Sequence, residues 1–149
     1  MRLTIQTLVD PRSIRVIRKI GLMIALESGF GGAQAADIEV AVSEALSNTL
    51  FHAYRGNRGP VDVEFVLENR ELRVEVRDDG PLLADPPILP MTQPPADARG
   101  FYLMTHLMDR AELIHPARGG RGTLVRLVKR LEAPLPGPAG DLPSLALIG

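Results

Sequence analysis

Two runs of alternating residues, Val61 to Leu67 and Leu72 to Arg77, are separated only by Glu68-Asn69-Arg70-Glu71. Period-two alternation marks half-buried strands, and so short a connection makes them an antiparallel hairpin. In the second run Leu72, Val74, Val76 and Asp78 share one parity, while Arg73, Glu75 and Arg77 share the other. The parity that buries the three aliphatic residues therefore delivers Asp78 to the end of the buried face. A carboxylate there must find donors or have its pKa raised, so Asp78 is a functional candidate as well as an ordinary strand-to-turn aspartate. Gly80, two residues on, lets backbone come close to a bound group.

Around this hairpin the elements follow from periodicity and punctuation. Leu3, Ile5 and Thr7 alternate as a short strand, which Asp10-Pro11 ends. A helix to about Ser28 follows, with Asp10 or Ser13 as N-cap and Ile14, Ile17, Ile20, Met23 and Ile24 on one face. Arg12, Arg15, Arg18 and Lys19 crowd its other face, which is either solvated or a docking surface for an acidic protein partner. Gly29-Phe30-Gly31-Gly32 breaks that helix, and a second begins between Ala33 and Asp37. It turns Ile38, Ala41, Val42, Ala45, Leu46 and Thr49 inward and ends in the glycine-punctuated loop Arg55 to Pro60.

The second helix also carries chemistry. Glu44, Asn48 and His52 stand four residues apart in turn, so regular helical geometry stacks them on one face. Such a face can be the wet side of an amphipathic helix or the wall of a site, and only the rest of the chain decides between them.

Beyond the hairpin, the stretch 81–98 is rich in proline and without lasting periodicity, as a lid, a binding loop or a disordered segment would be. Arg99-Gly100 then opens a helix to about Arg110, with Leu103, Met104, Leu107 and Met108 at core spacing. Its free N–H groups beside an arginine suit an anion. Ala111 to His115 and Thr123 to Leu131 read as strands about a glycine-rich turn. One domain, residues 1–132, is expected, followed by a linker-like Pro/Gly-rich tail, 133–149.

Composition excludes several classes. The 149 residues carry a net charge of −1, which argues against a general electrostatic grip on nucleic acid or anionic membrane. No basic helix with base-reading residues stands out, so direct DNA binding is not expected. Cysteine is absent, and His52, His106 and His115 are scattered, which leaves no zinc cluster; all three are expected to be structural or surface residues. The N-terminus lacks an apolar signal segment, and the run Gly21 to Leu26 is too short to span a bilayer. A cytoplasmic location is expected.

Taken in order, Glu44-x-x-x-Asn48-x-x-x-His52-Ala53-Tyr54, Asp78-Asp79-Gly80, Arg99-Gly100-Phe101 leading to Leu107-Met108-Asp109, and Gly122-Thr123 resemble the four boxes of the ATP-binding domain shared by gyrase, sensor histidine kinases and MutL proteins. The chain looks most like the compact anti-sigma-factor serine kinases of bacteria. That resemblance implies a two-layer α+β fold of the Bergerat (GHKL) type, with a mixed, mostly antiparallel sheet and helices on one face. It implies ATP and Mg2+ as cofactors. Glu44 matches the family's general base and Asn48 its magnesium ligand; Asp78 and Thr123 match the adenine pocket, and Gly80, Arg99, Gly100 and Phe101 the phosphate-side elements.

The function it implies is that of an anti-sigma factor that binds a sigma factor and phosphorylates a serine of an antagonist protein. A homodimer is implied as well, with the basic first helix as the sigma-contact face. The alternative is a nucleotide-binding regulatory module that acts by partner binding alone. A histidine kinase is disfavoured, because the residues before Ala33 provide one helix and no phosphoacceptor histidine. Two positions often held by glycine in the family are Leu82 and Ala98 here, where a lid must hinge.

Overall fold

The computed structural model describes residues 1–80, 99–116 and 120–132. Its strands are β1 (Arg2–Val9), β2 (Gly59–Glu68), β3 (Glu71–Asp78), β4 (Arg110–Ile114) and β5 (Leu124–Arg130), joined in one sheet of order β1-β2-β3-β5-β4. Helices α1 (Pro11–Glu27), α2 (Gly32–Asn48) and α3 (Arg99–Leu107) complete the α+β fold. The expected sheet was mixed and mostly antiparallel; every pairing among the described strands is antiparallel. The reason lies in the connections. Two helices separate β1 from β2 and return the chain to the end it left, so β2 runs opposite to β1. A single helix separates β3 from β4 and leaves them parallel, but β5 lies between them and is antiparallel to both.

The hairpin is tighter than the sequence suggested. Asn69 (φ 51°) and Arg70 (φ 61°) form a two-residue turn with both residues left-handed, the twist that matches flanking strands. Its register sets Val63 opposite Val76, Phe65 opposite Val74 and Val61 opposite Asp78. On β5, Val125 and Leu127 lie opposite Val76 and Val74. These residues face the helices and are almost fully buried together with Ile38, Ala41, Val42, Ala45 and Leu46 of α2. The other face of the sheet is charged: Glu75 accepts from Arg126 at 2.8 Å, and Arg73 lies 3.4 Å from the same carboxylate.

Of the two candidate N-caps of α1, Asp10 is the one used, and Ser13 completes a capping box as its third residue: the Asp10 carboxylate accepts from the Ser13 N–H and the Ser13 hydroxyl accepts from the Asp10 N–H. The buried stripe of α1 differs from the expected one. It runs Ile14, Ile17, Gly21 and Ala25, while Met23 is exposed. Small residues let the helix sit low: a Cβ at Gly21 would stand 3.3 Å from the Phe65 ring. On the basic face, Arg18 and Lys19 each approach Glu39 of α2 at 3.8 Å, whereas Arg12 and Arg15 form no ion pair among the described residues. Leu82, Ala98 and the rest of 81–98 lie outside the described residues, as does the tail from 133.

Candidate functional site

Regular α-helix stops at Asn48. Thr49–Ala53 makes one π-helical turn, closed by a hydrogen bond from the Tyr54 N–H to the Thr49 carbonyl at 3.1 Å. The Thr49 hydroxyl donates to the Ala45 carbonyl at 3.3 Å, the kind of local competition that loosens a helix at this point. The extra residue in the turn breaks the predicted stack. Glu44 and Asn48 stay together, half-buried, but His52 is exposed. Such π turns are frequent at functional sites because they re-aim the residues that follow. Here Ala53 meets Gly80, where a Cβ would stand 2.8 Å from both the Ala53 Cβ and its carbonyl oxygen. Only glycine permits that approach. It ties the end of the Glu44 helix to the end of the Asp78 strand.

Asp78 is 7% exposed, at the end of the buried face of β3 as its parity requires. Its Oδ1 accepts from the Gly80 N–H at 3.0 Å and the Thr123 N–H at 3.2 Å, while Oδ2 takes no hydrogen bond from the described residues. Burial pushes the carboxyl above the ordinary carboxylate range, against the pull of those two N–H groups. Thr123 is buried too, and its hydroxyl has no hydrogen-bond partner among the described residues. An acceptor-only oxygen and an orphaned hydroxyl side by side suit a ligand that carries an amine. Gly122 (φ 87°) passes so close to the Asp78 carbonyl that a Cβ there would collide with it. The Gly122 N–H donates to the Gly80 carbonyl at 2.8 Å.

At the opposite end, α3 brings its first turn to α2. A Cβ on Gly100 would lie 2.8 Å from Glu44 Oε2 and 3.1 Å from Asn48 Oδ1. The predicted base, metal ligand and phosphate-side glycine therefore meet. Arg99 is exposed and Phe101 is partly buried against the core. The other end of α3 is fixed by Lys129, which donates to the Leu107 carbonyl at 2.5 Å, and by Asp109, whose Oδ2 accepts from the Arg130 N–H at 2.6 Å. We expect Gly100→Ala to displace the Glu44 carboxylate and lower ATP turnover at least tenfold, on the ordinary sensitivity of catalysis to misplacement of about 1 Å. Steady-state kinetics with a melting curve checks this, because the fold itself should be little changed.

The relatives decide the family. The histidine kinase-like ATPase domain profile matches residues 8–129. An anti-sigma F factor of Caldanaerobacter subterraneus is 34% identical over 103 residues, 64% of this chain and 70% of that one. The chain belongs to the histidine kinase-like ATPase family, among relatives named anti-sigma factors. The anti-sigma F factor of Bacillus thuringiensis is 30% identical over 110 residues, 66% of this chain and 70% of that one. The RsbU and RsbW domain structure from Mycobacterium tuberculosis has the same fold, with a TM-score of 0.66 at 24% identity over 90% of this chain. This chain spans 33% of that one.

Within this ATPase family member, sequence reading assigned no site role to three residues that lie at the site or its edge. Tyr54 bridges the site: its hydroxyl donates to the Pro60 carbonyl at 2.5 Å and accepts from the Asp79 N–H at 2.9 Å, and burial pushes the phenol up. Its ring lies over Gly59, where a Cβ would stand 2.5 Å away. Ala53 was legible only as part of a motif, because no propensity signals a π turn. His115, expected to be structural or on the surface, lines a cavity of about 550 Å³ together with Asp78 and Thr123. Glu44, Asn48 and Gly100 do not line that cavity, which Asp62, Arg77 and Leu124 place toward the helix-free face of the sheet; the two ends of the site are tied by the Ala53–Gly80 contact and by the Tyr54–Asp79 hydrogen bond.

Proposed function

We propose that this protein is an anti-sigma factor and ATP-dependent protein serine kinase that binds a sigma factor and phosphorylates a serine of an antagonist protein. The observation that carries the reading is the convergence of Glu44, Asn48 and Gly100 at one end and of Asp78 and Thr123 at the other. When bound, ATP supplies the phosphoryl group and Mg2+ neutralises its charge. Asn48 Oδ1 is a neutral oxygen donor suited to a hard cation that also holds phosphate oxygens. Glu44 Oε2 takes the proton of the attacking serine hydroxyl. Asp78 accepts the exocyclic amine of adenine, and the N–H groups at the start of α3, with Arg99, Gly100 and Phe101, face the phosphates.

Relatives named anti-sigma F factor support the sigma partner. The exposed Arg12 and Arg15, rather than Arg18 and Lys19, are the open cations of the α1 face proposed for it. A homodimer suits the sheet edge, where β1 exposes Leu3 and Leu8. Among the described residues no helix is long and apolar enough to cross a membrane, and the proposed reaction belongs in the cytoplasm. Titrating the chain with sigma factors from its own cell in the presence of ATP tests the reading. One of them should bind at micromolar concentration or better, with weaker binding to the Arg12→Glu, Arg15→Glu variant; no complex with any of them contradicts it.

A further inference from the structure

The ladder between β2 and β3 ends in an irregular rung. Asp78 donates its N–H to the Thr123 carbonyl on the β5 side at 3.0 Å, so the N–H of Asp79, one residue on, points to the β2 side. Val61 lies opposite Asp78, which sets Pro60 opposite Asp79. A regular antiparallel rung there would run directly from the Asp79 N–H to the Pro60 carbonyl, and proline has no N–H to return. The Tyr54 hydroxyl stands in that rung instead. It accepts from the Asp79 N–H at 2.9 Å and donates to the Pro60 carbonyl at 2.5 Å. The two strand ends are thereby tied through the side chain that closes the π turn after the Glu44 helix.

The residue so held sits between two that matter. Asp79 joins Asp78 to Gly80, and the Gly80 N–H is one of the two donors that fix Asp78 Oδ1. Gly80 in turn lies against Ala53, so two successive residues after α2, Ala53 and Tyr54, grip two successive residues after Asp78. Resting on the ATP reading above, we propose that Tyr54 is a positioning residue of the nucleotide site, whose hydroxyl holds the Asp78–Gly80 turn so that the Asp78 carboxylate is aimed at the base. It touches neither base nor phosphate in this account and acts through Asp78 alone. A tyrosine that only covers Gly59 with its ring predicts something different. Removing its hydroxyl would then change stability, with no effect on nucleotide affinity that depends on Asp78.

The test is a double-mutant cycle of ATP dissociation constants on the native chain, Tyr54→Phe, Asp78→Asn and the double variant, with Tyr54→Met in place of Tyr54→Phe if it melts closer to the native chain. Tyr54→Phe should weaken ATP binding about five- to tenfold, the size of one lost hydrogen bond, and less than about twofold where Asp78 is already asparagine. A pH series gives the second readout. The titratable and charged groups about the Asp78 carboxyl are Asp79, His115 and Tyr54, with Asp62, Arg77 and Arg121 on the cavity it borders, and the substitution alters Tyr54 alone. A loosened turn weakens the Gly80 N–H bond that favours the ionised carboxylate, so on acidification the affinity of Tyr54→Phe should fall from a higher pH than that of the native chain. Native affinity in Tyr54→Phe overturns the proposal, as does a penalty of the same size in the Asp78→Asn background or an unshifted pH profile. If Asp78→Asn weakens ATP binding while Tyr54→Phe does not, only the Tyr54 assignment fails; if Asp78→Asn changes nothing, the base pocket itself is wrong.

Discussion

Glu44→Gln retains ATP affinity within about twofold and lowers phosphoryl transfer by about 10²- to 10⁴-fold, the usual worth of a positioned general base. The substitution keeps the shape of a side chain whose Oε2 sits against Gly100, so the first turn of α3 need not move. What it removes is the site for the serine proton. Glu44 is half-buried on the last regular turns of α2, a rigid element, and its place is fixed by the buried neighbours Ala45 and Leu46 rather than by the surface. Equilibrium titration with ATP and single-turnover transfer to the antagonist protein separate binding from chemistry. Transfer at the native rate shows that Glu44 is not the base. Lost ATP binding together with lost transfer shows that it shapes the pocket instead.

Asp78→Asn weakens ATP binding by about 10- to 100-fold, the range expected for loss of a charge-assisted hydrogen bond. Asparagine can keep its oxygen on the Gly80 and Thr123 N–H groups, but its amide nitrogen then faces the adenine amine, donor against donor. In the flipped orientation it meets two backbone donors instead, and the turn to Gly80 is destabilised. The same carboxylate sets a pH dependence. Because burial raises its pKa, Asp78 takes up a proton as pH falls while ordinary surface carboxylates are still ionised. A protonated Asp78 offers a donor where the amine needs an acceptor. Native ATP affinity should therefore fall, on acidification, from a higher pH than ordinary carboxylates predict, and the ratio of native to Asp78→Asn affinity should shrink in the same interval. Fluorescent-nucleotide titration across pH reads both. An affinity ratio constant with pH counts against this assignment.

The placement of the candidate residues was legible wherever one side chain's parity or period decided it. Asp78 follows from three aliphatic residues of the same parity, and Glu44 and Asn48 follow from the inward face Ile38, Ala41, Val42, Ala45, Leu46 and Thr49, all of which are buried. The strands of the hairpin and the capping of α1 were legible for the same local reasons. What failed depended on tertiary fit. Met23 has the right period for the core of α1, yet Gly21 and Ala25 draw the helix down on Phe65 and rotate the seam away from it. His52 has the right spacing for the site, but the π turn after Asn48 intervenes. The sheet was expected to be mostly antiparallel; that it is wholly so required knowing that β5 would lie between β3 and β4, which no pattern within either strand encodes. His115 carries no motif, and only the empty hydrogen-bond positions of its ring set it apart.

The central claim is that the Glu44–Asn48–Gly100 end and the Asp78–Thr123 end form one kinase site. It is tested most directly by incubating the full chain with ATP labelled on its terminal phosphate, magnesium and the antagonist protein encoded beside it, followed by phosphoamino-acid analysis of that antagonist. Label on serine, absent without magnesium and absent with Glu44→Gln, is the predicted result. A stable complex of the chain with nucleotide and antagonist, in which no serine is labelled, would contradict it and leave a regulatory module that works by partner binding alone.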